Sequence, residues 1–493
     1  MEEWDLVVLG GGTAGLVAAK TAGRFGARVL LVESARTGGD CLWTGCVPSK
    51  SLIAAAHAAH AVRTADRYGV QAGPPKIDDA AVLAHVRSAI SRIEPVDSPA
   101  AISATGATVV AGRAEFTGPA TLRITDDAGT RPARFRWALI ATGAAPALPT
   151  VPGLAEADPL TTDTLWDLTE LPRRLAILGG GPIGCELGQA LARLGVEVTV
   201  VEVADRLLGK EEPEAGALIA ERLRAEGVTV VTGTAVNRVT AGTLHLSSGE
   251  TVEVDRILVA TGRRPRSTDL GLAAAGVRCA EPGHVVIDGL MRTSNRRIYA
   301  AGDVTGRAPE WPHEPVGSLP FTHVAGVQGG YAATNALLGL RRRIDYAAVP
   351  WVTFTDPEVA RVGATLAQAR QRHGTRARAE RLSHDHVDRA ITDGRTDGFT
   401  QLVSGPGGRL LGATVVSPRA GESIAELAAA IRRGAKVRDV ASTVHPYPTY
   451  ADGPWNASLA QLRADLTAPL PARAMTALRT LRRALHPIRG GNR

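Results

Sequence analysis

A repeated unit constrains this 493-residue chain more than any other feature of its sequence. Each copy contains an apolar strand, a G-x-G-x-x-G loop, a helix, a second strand and an acid, the order of a dinucleotide-binding βαβ unit. The loops are residues 10–15 and 179–184, and 18 positions separate the last glycine of each loop from its acid, Glu33 or Glu202. Two complete units at matched spacing predict two similar domains that each bind a dinucleotide.

Both units carry the glycines through which a backbone can approach a pyrophosphate at a helix N-terminus. The glycines predicted to lie at the cofactors are Gly10, Gly12 and Gly15 in the first loop and Gly179, Gly181 and Gly184 in the second. The repeat extends to two apolar strands that end in Thr-Gly, at Gly143 and Gly262. A further apolar strand precedes Asp303, which we expect to bind the polyol part of a cofactor; a turn or helix-cap role is the alternative.

Glu202 also bears on the choice of nicotinamide cofactor. A carboxylate at this position accepts hydrogen bonds from a free 2′-hydroxyl and repels a 2′-phosphate, which favours NAD(H) over NADP(H). Arg206 is close enough in sequence to leave NADPH open.

Cys41 and Cys46 lie five positions apart in a glycine-rich stretch, ahead of a helix predicted over residues 52–61. They could form a small disulfide ring, and a neighbouring helix N-terminus would favour a thiolate. A structural disulfide is the alternative, although such bonds are rare in reducing compartments. A zinc site is disfavoured because no second Cys or His pair has ligand spacing, so no resident metal is predicted.

The composition fits a globular protein of a reducing compartment. Four cysteines in 493 residues exclude a disulfide scaffold, and Cys185 and Cys279 are isolated and interpreted as structural. The net charge of +7 is spread along the chain, which does not favour a nucleic-acid partner. With no secretory signal pattern and no run of 18 apolar residues, we expect a cytoplasmic protein.

The pattern changes beyond Asp345, where strand-like stretches and a helix over residues 422–434 predict an α+β domain. The Pro-rich stretch 307–320, with Trp311 and His313, is predicted to be a loop. Residues 472–493 contain no acid, and their apolar residues recur at helical spacing. A basic amphipathic helix that touches a membrane is possible there, but a solvated or dimer-packed tail is favoured.

Several segments together resemble the class I flavin-dependent pyridine nucleotide-disulfide oxidoreductases, which include dihydrolipoamide dehydrogenase, glutathione reductase and mercuric reductase. The resemblance extends to about residue 460. It is carried by residues 10–15 with Glu33, the Cys-x4-Cys-x-Pro-Ser-Lys element 41–50, residues 179–186, residues 301–303 and residues 354–363.

The resemblance implies a role for each matching residue. The first unit with Glu33 and Asp303 would bind FAD, and the second with Glu202 would bind the nicotinamide cofactor. Cys46 would lie against the flavin, Cys41 would exchange with substrate, and Lys50 would pair with Glu186.

The chain departs from the family near its C-terminus, where disulfide reductases carry a His-Pro-Thr element followed by Glu. Tyr447 stands in the place of the histidine and Asp452 in that of the glutamate, while His445 lies two positions before Tyr447. On an extended segment these two side chains would share a side, so His445 could substitute as the base or be only structural. Mercuric reductase also carries a tyrosine in this segment, but the chain lacks an extra cysteine pair near its C-terminus.

The sequence therefore predicts an α/β protein with two Rossmann-like domains and an α+β dimerisation domain. The predicted segments are 1–150 with 285–345 for FAD, 151–284 for NAD(P), 346–462 for the interface and 463–493 for a basic tail. We expect a homodimeric FAD-dependent NAD(P)H oxidoreductase that passes electrons through Cys41 and Cys46 to a small disulfide or thiol substrate. The alternatives are reduction of Hg(II), or of quinones and dyes.

Overall fold

The computed structural model describes residues 2–306 and 319–486. All but the end of the predicted loop 307–320, with Trp311 and His313, lies outside these residues, as do Arg489 and Arg493.

The chain divides into two compact units. The first consists of Met1–Gly209 and Ile219–Ile344, and the second of Lys210–Leu218 and Asp345–Arg493.

Strands up to residue 300 are β1 Glu2–Leu9, β2 Val29–Glu33, β3 Ala107–Ala111, β4 Arg113–Gly118, β5 Thr121–Asp126, β6 Gly129–Ile140, β7 Ala144–Pro146, β8 Arg174–Leu178, β9 Glu197–Val201, β10 Thr229–Val231, β11 Val236–Thr240, β12 Thr243–Leu246, β13 Thr251–Glu253, β14 Arg256–Val259, β15 Arg263–Pro265, β16 Cys279–Ala280, β17 His284–Val285 and β18 Ile298–Ala300. The α-helices up to residue 338 are α1 Thr13–Arg24, α2 Gly39–Trp43, α3 Cys46–Arg63, α4 Asp79–Asp97, α5 Pro99–Ser103, α6 Pro182–Arg193, α7 Pro213–Ala225 and α8 Thr322–Leu338.

The first unit contains one large sheet for each repeat, the first of them mixed and the second parallel. In the first sheet the strand order is β3-β2-β1-β6-β5-β4, and β18 also pairs with β6. The strands β1, β2, β3, β18 and the end of β6 are parallel, and Val7 pairs with both Leu30 and Ala138. Residues 6–9 of β1 are buried, as expected of a parallel strand covered on both faces. Loops 10–15 and 301–303 therefore follow the carboxyl ends of β1 and β18, the two strands on either side of β6, and cofactors bind at this edge of such sheets.

The second sheet repeats the arrangement with the order β10-β9-β8-β14, all parallel. Three further strands, β11, β12 and β13, form an antiparallel sheet, and β7 pairs with β15. The matching positions of β1 and β8, and of β2 and β9, place the two glycine loops equivalently in their sheets.

The second unit contains the strands β19 Pro350–Thr353, β20 Glu358–Gly363, β21 Arg378–Ser383, β22 Phe399–Ser404 and β23 Leu410–Ser417, and the helices α9 Leu366–His373, α10 Asp388–Thr392, α11 Ala420–Arg432, α12 Val437–Ala441, α13 Asp452–Thr467 and α14 Pro469–Leu485. The five strands form one antiparallel sheet in the order β19-β20-β23-β22-β21. Helix α11 packs on β20 and β23 and contributes Ile424 and Leu427 to the core. The predicted fold class, two Rossmann-like domains and an α+β domain, is confirmed.

Two helix boundaries differ from the sequence prediction. Helix α3 begins at Cys46 rather than at Leu52, because Pro48 lies in its first turn, where the missing N–H would have no intrahelical partner. The second boundary is the break that the sequence predicts near Pro95 in the Ala-rich helical stretch: α4 runs through Pro95 to Asp97, and the break falls at Ser98, whose backbone is extended. Ser98 then donates a hydrogen bond to the Pro95 carbonyl at 2.9 Å and caps α5.

None of the helices within residues 2–306 and 319–486 is long and apolar enough to cross a membrane.

Candidate active site

The two glycine loops have the same geometry at their first and last glycines. Gly10 and Gly179 have φ angles of +103° and +113°, in the region that favours glycine. A Cβ at Gly15 would lie 1.9 Å from the Gly10 carbonyl oxygen, and a Cβ at Gly184 would lie 1.9 Å from that of Gly179. Only glycine fits at these four positions, so the repeat seen in the sequence is a repeat of close backbone contacts.

The middle glycines leave room for an anion. Gly12 and Gly181 precede α1 and α6, and neither helix has a side-chain cap. A Cβ at Gly12 would find its nearest neighbour at 3.8 Å, and one at Gly181 would find nothing within 4 Å. The first N–H groups of both helices are thus available to a phosphate, which fits FAD in the first loop and the nicotinamide dinucleotide in the second.

The two acids are held in the same way. The Glu33 carboxylate accepts hydrogen bonds from the N–H of Gly11 at 2.5 Å and of Ala35 at 2.7 Å. Glu202 accepts the equivalent bonds from Gly180 at 2.6 Å and Ala204 at 2.8 Å. Each carboxylate is therefore fixed at the end of the second strand, and lone pairs remain for ribose hydroxyls.

Asp303 follows β18, and burial raises the pKa of its carboxyl group above the usual range. Its nearest cation is Arg263, whose Nε lies 3.7 Å from a carboxylate oxygen, while Nη2 of the same guanidinium binds Asp40. Arg263 follows Gly262, and β15 pairs with the strand β7 just beyond Gly143. Sequence reasoning missed this arginine, although its place directly after a Thr-Gly strand was a signal.

Cys41 lies in the short helix α2 and Cys46 is the first residue of α3, and both are free thiols in this structure. The two thiols act on each other's protonation, since each shifts the pKa of the other. The Thr322 hydroxyl, at the start of α8, lies 3.2 Å from the Cys46 sulfur. The pair is therefore arranged as a dithiol whose second sulfur accepts hydrogen bonds at a helix N-terminus.

These contacts lower the pKa of Cys46 to about 6. The largest cause is the hydrogen bond from Cys41; the Thr322 hydroxyl and the Lys50 ammonium lower it further. Burial and the Glu186 carboxylate act in the opposite direction but are outweighed. These causes together favour the thiolate form of Cys46.

The same hydrogen bond raises the pKa of Cys41 far above its ordinary value, and burial and the charge of Cys46 act in the same direction. The reduced pair therefore carries one negative charge, on Cys46, and one proton, on Cys41.

Lys50 and Glu186 form an ion pair of 2.9 Å between α3 and α6. Lys50 lies one helical turn after Cys46, on the same face of α3. Glu186 is buried, with 8% of its side chain exposed, whereas Lys50 is 38% exposed. The structure thus brings Cys41, Cys46, Lys50 and Glu186 together in the first unit.

Thr322 is the residue of this site that sequence reasoning missed. Its position at the start of α8 gives no sign in the sequence that its hydroxyl would meet a cysteine far away in the chain. The other two cysteines differ in exposure. Cys185 is buried and its thiol donates a hydrogen bond to the Gly180 carbonyl, whereas Cys279 is exposed.

His445, Tyr447 and Asp452 belong to the second unit. Both ring nitrogens of His445 are engaged, Nε2 with the Glu426 carboxylate at 2.7 Å and Nδ1 with the Thr443 carbonyl at 2.9 Å. The carboxylate partner of His445 is thus Glu426 of α11 and not Asp452.

The Tyr447 hydroxyl donates a hydrogen bond to Asp388 at 2.7 Å, and this contact raises the pKa of the phenol. Its side chain is exposed. Asp452 is buried at the start of α13 and accepts the Thr449 N–H at 3.2 Å. His445 and Tyr447 therefore contact different elements, α11 and α10.

Known proteins match the chain over nearly its whole length. Residues 4–329 match the pyridine nucleotide-disulphide oxidoreductase family, and residues 349–458 match the dimerisation domain of the same family. The mercuric reductase of Streptomyces lividans is 40% identical over 459 residues, 91% of this chain and 94% of the relative. The dihydrolipoyl dehydrogenase of Chlamydia muridarum is 33% identical over 92% of this chain and 95% of its own.

Two solved structures resemble this chain over nearly its whole length. LpdA of Mycobacterium tuberculosis has a TM-score of 0.83 at 29% identity and covers 94% of this chain and 100% of its own. The HOCl-induced flavoprotein disulfide reductase RclA of Escherichia coli, solved as a Cu(II) complex, has a TM-score of 0.81 at 27% identity, with 93% and 100% covered. The chain is therefore an enzyme that belongs to the pyridine nucleotide-disulphide oxidoreductase family.

Proposed function

We propose that this enzyme uses FAD and NAD(P)H to reduce a small disulfide or related thiol substrate through Cys41 and Cys46. The observation that carries the proposal is the setting of Cys46, whose sulfur lies 3.2 Å from the Thr322 hydroxyl and whose pKa is lowered by the Cys41 thiol, the Thr322 hydroxyl and the Lys50 ammonium. A low-pKa thiolate beside a second thiol is suited to thiol–disulfide exchange, whereas a structural cysteine is buried and inert.

The first glycine loop, Glu33 and Asp303 would hold FAD, and the second loop and Glu202 would hold the nicotinamide. When bound, these cofactors supply the electron pair that converts a Cys41–Cys46 disulfide to the dithiol. The chain's own part is to bind them at two similar helix N-termini and to keep the charge of the dithiol on Cys46.

Exchange with a substrate disulfide then follows from the two thiols. Cys46 accepts the proton of Cys41, whose sulfur attacks one substrate sulfur, and the substrate S–S bond breaks. The leaving thiolate takes the proton back from Cys46, which is again a thiolate. Cys46 attacks the Cys41 sulfur, the second substrate thiolate leaves and gains a proton, and the protein is left as the disulfide. Two electrons pass to the substrate.

The second leaving group needs an external proton, and we assign this role to the segment 445–452 of a second copy. The match of residues 349–458 to the family's dimerisation domain supports a homodimer. The raised pKa keeps the Tyr447 phenol protonated at neutral pH, and its one O–H, which donates to Asp388, would have to turn from that carboxylate to meet a substrate. Both ring nitrogens of His445 are hydrogen-bonded, to the Thr443 carbonyl and the Glu426 carboxylate, which favours a structural role for this residue.

NAD(H) is the favoured nicotinamide. The Glu202 carboxylate is fixed by two backbone N–H groups where a ribose hydroxyl would meet it. The Arg206 guanidinium, which could bind a 2′-phosphate, donates to the Gly209 carbonyl at 2.7 Å.

Reduction of Hg(II) is the second candidate. Relatives named mercuric reductase are up to 40% identical to this chain, and two adjacent thiols are soft ligands for this substrate. Against efficient Hg(II) handling, the four cysteines are Cys41, Cys46, Cys185 and Cys279, so no pair near the C-terminus could deliver the metal.

The decisive experiment measures NADH and NADPH oxidation by the holoenzyme with a panel of small disulfides, with Hg(II) in excess thiol, and with quinones. Turnover of a disulfide that is lost in Cys41→Ser and kept in Cys279→Ser, the matched control, supports the first function. Turnover of Hg(II) alone with the same dependence on Cys41 supports the second. Quinone turnover that survives loss of both Cys41 and Cys46, without disulfide or Hg(II) turnover, contradicts both.

A further inference from the structure

We propose that the C-terminal helix α14 binds the surface of an anionic lipid bilayer. This inference is independent of the reaction, and it concerns a helix that lies beyond the matched dimerisation domain, which ends at residue 458. The family's dimer contacts therefore give no account of this helix.

One face of α14 is apolar and uncovered. Its residues recur at the spacing of a single helical stripe; they are Leu470, Ala474, Ala477, Leu478, Leu481 and Leu485. No residue of α14 is buried, and the four leucines of the stripe are 57% to 78% exposed. Four large apolar side chains aligned in this way are unusual on a surface that water alone covers.

The rest of the helix is strongly basic. Its charged residues are Arg473, Arg479, Arg482 and Arg483, and the chain contains no acidic residue after Asp465. An apolar stripe on a helix whose only charged residues are arginines matches the boundary of an anionic bilayer, where leucines enter the acyl region and guanidinium groups meet phosphates. With 17 residues and this many charges, α14 would lie along the surface rather than span it.

The charges of α14 also argue against a second copy of the chain, or a nucleic acid, as its binding partner. If the stripes of two copies packed together, Arg473 and Arg482 of each copy would border the contact with no acid on either helix to compensate them. A nucleic acid would satisfy the arginines but would leave the leucines in water. A bilayer of anionic lipids satisfies both faces at once.

The test is flotation of the full-length, cofactor-loaded protein with vesicles of phosphatidylcholine alone or mixed with phosphatidylglycerol. We expect binding to the mixed vesicles only, weakened by salt. Two matched double variants separate the faces: Leu478→Glu with Leu481→Glu, and Thr476→Glu with Thr480→Glu. Both change the net charge equally, but only the first interrupts the stripe, so it should abolish binding while the second only weakens it.

The arginines are tested separately. Each Arg→Gln change in α14 should weaken binding about fivefold, whereas Arg432→Gln with Arg433→Gln, on exposed positions of α11, should leave it unchanged. Absence of binding by the wild-type protein would overturn the proposal, as would equal binding by the two Glu variants. If the wild-type protein does not bind vesicles and the Leu478→Glu, Leu481→Glu variant changes its oligomeric state, the stripe contacts a second copy and the proposal is overturned. Binding of nucleic acid instead of lipid by the wild-type protein would also overturn the proposal.

Discussion

The hydroxyl of Thr322 lies 3.2 Å from the sulfur of Cys46, joining the first residues of two helices that are far apart in the chain. The contact places a donor against the sulfur that carries the charge of the dithiol. It acts with the Cys41 thiol and Lys50, and together they outweigh the burial that would otherwise keep Cys46 protonated.

Replacing Thr322 by valine should raise the pKa of Cys46, since a hydrogen bond to a charged group is removed. The thiolate would then form at a higher pH. The measurement is the pH dependence of thiolate absorbance in the reduced protein, with the Cys46→Ser variant as the blank. Thr322→Ser, which keeps the hydroxyl, is the control, and an unchanged titration in Thr322→Val would refute the assigned contact.

Lys50 and Glu186 should shift the same titration in opposite directions. Lys50→Gln removes a positive charge that favours the thiolate, so the pKa of Cys46 should rise. Glu186→Gln removes a negative charge that opposes it, so the pKa should fall. The same absorbance titration checks both variants, and shifts of the same sign would show that the ion pair does not act on Cys46 through charge.

Loss of the Glu202 carboxylate should reduce the preference for NADH. In Glu202→Ala the kcat/KM for NADH should fall by about tenfold, the effect of one or two charged hydrogen bonds, while that for NADPH should fall less or rise. Steady-state kinetics with both nucleotides measure the ratio. Glu197→Ala, an exposed change at the start of the same strand, should leave it unaltered. An unchanged ratio in Glu202→Ala would exclude contact with the ribose.

His384 in the second unit should make the protein less stable in acid. The imidazole ring of His384 is buried, and its Nε2 forms a hydrogen bond of 2.9 Å with the Thr400 hydroxyl. Burial lowers the pKa of His384 from 6.5 to about 4. Between these values the unfolded chain binds a proton that the folded chain does not, so stability is lost as the pH falls through this window. The loss is about 3 kcal/mol.

Denaturant unfolding on either side of this window measures that loss. His384→Gln, which does not titrate, should lower the stability at neutral pH but flatten its dependence on pH. If wild type and variant lose equal stability on acidification, another group is responsible.

The cofactor half of the site was predictable because its signals are local. The residues of each glycine loop contact one another, so the contact between Gly15 and the Gly10 carbonyl is encoded within six adjacent positions. The interval to Glu33 or Glu202 reflects one helix and one strand, which have standard lengths. Steric requirements of this kind therefore appear as a recognisable pattern in the sequence.

The contacts that tune the thiols were not predictable, because they join segments with no common pattern. The Thr322 hydroxyl comes to Cys46 across 276 positions, and Glu426 comes to His445 from another helix. An extended segment would have placed His445 and Tyr447 together, but each side chain finds a separate carboxylate in the folded unit. Such pairings depend on how helices and sheets pack.

The most direct test of the account is to count labelled cysteines before and after anaerobic reduction of the holoenzyme by NADH or NADPH. The protein is denatured, alkylated and analysed by peptide mass spectrometry. The account predicts that Cys41 and Cys46 are labelled only after addition of the reduced nucleotide, whereas Cys185 and Cys279 are labelled in both samples. Equal labelling of Cys41 and Cys46 in both samples would contradict it.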